Sequence, residues 1–172
     1  EYRVEHSYVV LAQVQYIQNL LIDMETGRRG FRSTNNKIFL QPYDNSVSKI
    51  VPALNDLGGL VKENPVQYEY IVKLENEIKS LLNFWESLEV DASHYTRETI
   101  FDITIREKTQ MDAIRAIVTD IKQNEKELLA ELKKDNSSLR QRASIAIVTG
   151  TLLILVIVSI LIYVVIIEFK NK

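Results

Sequence analysis

Cysteine is absent. That excludes disulfides and thiolate metal sites and leaves the redox compartment open. Histidine is scarce, with His6 and His94 alone. Helix rise sets these two ~40 Å apart, too far to share a metal within one chain. Three Pro and five Gly among 172 residues leave room for long uninterrupted helices. The net charge is -2, without the basic excess of a nucleic-acid binder. No nucleophile–base pair, glycine-rich phosphate loop or metal-ligand spacing is found. No catalytic residue, cofactor or metal is therefore expected, and this fragment reads as non-enzymatic. The chain starts at Glu1 without a signal sequence and stops at Lys172, just past an apolar run. The expectation is a piece of a longer protein, with a membrane segment before it and a cytoplasmic portion after it.

What is present is helical periodicity. Val10, Val14, Ile17, Leu21, Met24 and Phe31 recur at steps of three and four. They predict a first helix over 4–34, with Arg28 in the seam and Asn35-Asn36 as a left-handed cap. A second helix is expected over 37–62, with Pro42 either kinking it or marking its true start. Asn64-Pro65 is a start signal, Asn as cap and Pro in the first turn. The third helix then runs to about Val90 through Tyr68, Ile71, Leu74, Ile78, Leu81, Trp85 and Leu88. Asp91-Ala92-Ser93 reads as a break, and 94–103 as a short helix or a continuation of the third. A bend is placed at 104–108, and Thr109 with Asp112 approximates a capping box for the fourth helix.

That fourth helix carries Ile114, Val118, Ile121, Leu128, Leu132 and Leu139 on one stripe. From Ala143 to Ile167 the stripe widens to the whole circumference, with no charge and no Pro. Those residues rise ~37 Å as a helix, enough to cross a ~30 Å hydrocarbon core with tilt. The fold expected is an all-α, antiparallel up-down four-helix bundle whose last helix continues into a C-terminal transmembrane helix. The domains are 1–142, the soluble bundle; 143–167, the span; and 168–172, the start of a cytoplasmic segment.

Glu25-Thr26-Gly27-Arg28-Arg29-Gly30-Phe31 resembles the Glu-Thr-Gly-x-Arg-Gly-aromatic signature of the CHASE sensor family, third class. His6-Ser7 with Val10, Phe39-Leu40 with Tyr43, Asn64-Pro65, Met111-Asp112 with Ile114-Arg115, and Glu125 with Leu128-Leu129 follow the same family in order and spacing. The likeness covers residues 4–132. Arg28 stands where the family often has Gln, Arg32 and Ser33 where it has apolar residues, Asn35 where it has Gly, and Leu132 where Arg is common. The resemblance implies the extracytoplasmic four-helix domain of a bacterial membrane receptor, a sensor histidine kinase first and a chemoreceptor second.

The signature also has a physical reading of its own. Glu25 and Arg29 stand four apart, acid first, the favourable order for a helical ion pair. Gly27 and Gly30 let another helix come close, at a cost of about 1 kcal/mol each relative to Ala. Arg29 is expected to be partly buried, paired with Glu25 or with Glu125, which takes a seam position on the fourth helix. A tie that fixes helix register is preferred to an anion-binding or switching site. Tyr68, Trp85, Tyr95 and Arg28 are candidates to line a ligand pocket, although aromatics at this spacing are more often core. Ala146 and Gly150 form a small-x-x-x-small pair, which chance also produces in apolar segments.

The functional expectation is a sensing module in the plasma membrane, its soluble domain outside the cytoplasm. Lipid, a homodimer partner and an unidentified small-molecule or protein ligand are its expected partners. Lys133, Lys134, Arg140 and Arg142 before the apolar run pull the other way under the positive-inside rule. They favour the alternative, a tail-anchored tether or fusion-type protein facing the cytoplasm.

Overall fold

A computed structural model describes the backbone of residues 2–88 and 92–170. Side chains 2, 92, 135–140, 142, 143, 161, 163–166 and 168–170 fall outside that description. The described chain is all helix: α1 (Tyr2–Thr34), α2 (Gln41–Val61), α3 (Pro65–Glu86) and α4 (Arg97–Lys170), with 3-10 turns at Lys37–Leu40 and Ala92–His94. It forms two compact units, Glu1–Leu129 and Ala130–Lys172.

Within the first unit the ends follow local chemistry. Asn35 adopts φ 51°, and its N–H donates to the Phe31 carbonyl at 2.7 Å, closing α1 with a left-handed cap. Asn36 accepts from the Ile38 N–H at 3.1 Å and opens the 3-10 turn. Pro42 lies in the first turn of α2, so it starts that helix. Asn64 accepts from the Gln67 N–H at 3.3 Å with Pro65 following.

Two expectations are corrected. The fourth helix begins at Arg97, not Thr109. Thr96 Oγ1 caps it, accepting from the Thr99 N–H at 3.1 Å. Thr109 and Asp112 form no capping box. The Thr109 hydroxyl donates back to the Ile105 carbonyl, and Asp112 takes Lys108 and Arg115. On α3 the buried seam position is Gln67, while Tyr68 is exposed. The helix ends at Glu86; the expected end at Val90 and the Asp91 break lie outside the described residues.

The core gathers Val14, Ile17, Leu21, Ile50, Leu57, Leu74, Ile78, Trp85, Ile114 and Ile121, each at most a few per cent exposed. Polar ties give the pairwise directions. Gln13 reaches the Ala53 carbonyl, and His6 the Leu60 carbonyl, so α1 and α2 run oppositely. Arg32 meets Glu107, Glu25 meets Arg115, and Lys122 meets Gln18, so α1 and α4 do too. Gln67 with Glu125 and Ser80 with Gln110 set α3 against α4 in the same opposed sense.

In the second unit the described residues are helical through Lys170. Residues such as Ile147, Leu153 and Ile154 are bare on its surface. Thr149, Thr151 and Ser159 donate back to the carbonyls of Ile145, Ile147 and Leu155. Among the described residues, no helix is long and apolar enough to cross a membrane. The expected span, 143–167, includes several side chains outside the described set.

Candidate functional site

The signature residues of α1 meet the start of α2. A Cβ on Gly27 would lie 2.9 Å from the Phe39 carbonyl oxygen and 3.0 Å from the Tyr43 nitrogen. A Cβ on Gly30 would lie 2.8 Å from Phe39 Cδ1. The two glycines are therefore the places where the 3-10 turn and the first turn of α2 lie directly on α1. That contact offsets the helical cost of glycine. Phe31, the last residue of the signature, is buried.

The charged residues distribute otherwise than the sequence suggests. Arg29 is 63% exposed and only 3.8 Å from Glu25. Glu25 is held instead by Arg115 of α4 at 2.8 Å. An Arg29–Glu125 pair does not form, for a reason of register. With Glu25 opposite Arg115, the level of Arg29 on α4 is near Met111, about four turns or ~21 Å from Glu125. Glu125 is buried against the Gln67 side chain of α3.

The buried arginine is Arg32. Its Nη1 and Nη2 donate to both oxygens of Glu107 on α4, at 2.9 and 2.5 Å. Trp85 Nε1 donates to the same carboxylate at 2.8 Å. Glu107 is 2% exposed and Trp85 wholly enclosed. A bidentate guanidinium plus an indole N–H is the kind of full satisfaction a buried carboxylate requires. Beside this triad, Arg28 donates to the Trp85 carbonyl at 2.9 Å, in the last turn of α3, where a cation suits the helix dipole. Its guanidinium lies 5.4 Å from the centre of the Tyr43 ring, and Tyr43 stands edge-on to Trp85 at 5.8 Å. Burial pushes the Arg28 pKa down, opposed by Tyr43 and Glu107. Burial pushes the Tyr43 phenol up, opposed by Arg28.

Of the candidate lining residues, the structure joins Arg28 and Trp85 in this cluster. It places Tyr95 half-buried against the core. Tyr68 is exposed near the start of α3, about 25 Å along the helix from Trp85. Trp85 is core rather than a pocket wall. Arg32 and Glu107 were missed by the sequence reading. Two signals pointed to them: Arg32 replaces an apolar residue in the family pattern, and Glu107 keeps seam spacing between Ile103 and Met111. Among the described residues no group of three or more metal-binding side chains assembles.

Set against known families, residues 1–135 match the model of the CHASE3 domain. No curated protein and no solved structure matches the chain.

Proposed function

The chain belongs to the CHASE3 domain family, whose members are extracytoplasmic sensor domains of signalling receptors, and from that premise we propose that it is the sensing and signal-transmitting module of a bacterial receptor in the plasma membrane. The family match over 1–135 carries the reading. A sensor histidine kinase is the parent of choice and a chemoreceptor the second. The four helices act as an antiparallel up-down bundle, a reading supported by the opposed pairwise directions of α1, α2, α3 and α4.

The apolar run 143–167 is the proposed membrane crossing. Support comes from the sequence, which holds no charge there, and from Thr149, Thr151 and Ser159, whose hydroxyls bond within their own helix. Lipid demands such internal satisfaction. A ligand that prefers one bundle arrangement shifts a two-state equilibrium. Sliding, rotation or tilt of α4 then conveys the shift, within a homodimer.

The basic residues before the apolar run favour the second reading, a tail-anchored protein facing the cytoplasm. Labelling decides between them. The chain has no native cysteine, so Asn36→Cys gives one reactive site. A membrane-impermeant maleimide is expected to label it in intact cells. Labelling only after permeabilisation overturns the sensor reading.

A further inference from the structure

Outside the buried cluster, α1 and α2 leave an open cleft of about 680 Å³. That size falls within the ~300–1,000 Å³ typical of small-molecule sites. Its floor includes Gly27 of the signature, and its walls carry Asp23 and Asn19 from α1 with Asn45 and Lys49 from α2. Tyr16 and Phe39 stand at its edge, each 43% exposed. Near α1, Glu25 is engaged with Arg115, Arg32 with Glu107, and Lys122 with Gln15 and Gln18. The two charged residues that line the cleft, Asp23 and Lys49, are not so engaged. Neither has an ion pair or hydrogen bond to any described side chain.

The register of α1 on α2 fixes where these groups stand. Gly27 packs on Tyr43, and Gln13 bonds to Ala53. Asn19 is then level with Lys49 and Asp23 with Asn45. The acid and the base are one helical turn apart, ~5–6 Å along the axis. Each has an amide at its own level, one able to accept from a cation and the other to donate to an anion.

We infer that this cleft binds an α-amino acid with an apolar or aromatic side chain. The ammonium sits on Asp23 and the Asn45 carbonyl oxygen. The carboxylate sits on Lys49 and the Asn19 amide. The side chain lies against Tyr16 and Phe39. One charge of each sign in the same cleft matches a zwitterion, and a ligand with a single charge leaves the opposite wall group without a partner. A neutral sugar leaves both unpaired. Because the cleft touches Gly27 and Phe39, its occupant bears on the α1–α2 contact built by the signature. The inference rests on the sensor reading and names its ligand.

The test uses the full chain in detergent micelles, with calorimetric titration and thermal shift. L-Phenylalanine and L-leucine are the probes; N-acetyl-L-phenylalanine and L-phenylalaninamide are the blocked forms. Saturable binding with a concentration-dependent rise in Tm is expected for the free amino acids, and at least tenfold weaker binding for each blocked form. Asp23→Asn and Lys49→Met are each expected to raise Kd at least tenfold with the unliganded Tm unchanged, since neither side chain loses a partner. Asp23→Asn leaves the weak binding of the N-acetyl form unaltered, because that form has no ammonium to lose. Absence of amino-acid binding, equal binding of the blocked forms, wild-type affinity in both variants, or preference for a monosaccharide overturns the inference. External labelling of Asn36→Cys is scored in parallel on intact cells that express the same chain. If it persists while amino-acid binding fails, this ligand is excluded and the sensor reading stands.

Discussion

Arg29 and Arg32 lie less than one turn apart on α1, yet only Arg32 is buried against a carboxylate. Arg29→Ala is expected to change stability by no more than ~0.5 kcal/mol, as for other exposed positions. Arg32→Met leaves Glu107 charged, enclosed and held only by the indole of Trp85. A loss of ~3–5 kcal/mol is expected in chemical denaturation. The double change Arg32→Met with Glu107→Leu recovers most of this, since an apolar pair can replace a buried ionic one. Recovery stops short by ~1–3 kcal/mol because the Trp85 N–H then lacks its acceptor. Tyr43 gives a pH test. Its folded pKa is raised by burial, so the neutral phenol is favoured by folding. That contribution is complete below the unfolded phenol pKa near 10 and is lost as pH rises through the higher folded value. Spectrophotometric titration is expected to show a late-ionising phenol phase that is absent in Tyr43→Phe.

At the scale of the element, glycines separate contact from composition. Gly27→Ala places a methyl against backbone atoms of Phe39 and Tyr43, which cannot yield without moving the start of α2. Overpacking of ~1–3 kcal/mol is expected to exceed the ~1 kcal/mol gained in helix propensity. Gly59, inside α2, has no atom within 4 Å of an added Cβ, so Gly59→Ala is expected to stabilise by up to ~1 kcal/mol. Midpoints of urea unfolding measure both. The start of α4 is a second case. Thr96→Ala removes the cap on the Thr99 N–H, at an expected cost of ~0.5–2 kcal/mol. That start is hidden in the sequence because Glu107 occupies a seam position. A charged residue there interrupts the apolar pattern and makes 104–108 look like a bend. Only its partners, Arg32 and Trp85, let the helix run through it.

Across the whole molecule, the sensor reading predicts that Asn36→Cys reacts from outside the cell, as set out above. Most of the helix seams, the cap at Asn35 and the start at Asn64-Pro65 were legible in the sequence, which offers Pro42 as either a kink or a helix start and puts Tyr68 where Gln67 is buried. Each depends on side-chain periodicity or on backbone preferences that act within a few residues. The family signature was legible too, as was the reason its glycines are small. Which element they touch was not: Phe39 and Tyr43 come to α1 only after the chain reverses direction. The ionic partners lay beyond the sequence for the same reason. A carboxylate such as Glu125 or Glu107 reads identically along the chain. The register of α4 against α1 and α3 decides that Glu107 receives Arg32 while Glu125 receives Gln67. Local sequence therefore determined most of where this protein is helical and which stripes turn inward, with residues 97–108 and the inward position of Gln67 excepted. Long-range packing alone decided which charges meet, because a shift of one turn, ~5.4 Å, exchanges every polar partner while leaving each helix unchanged.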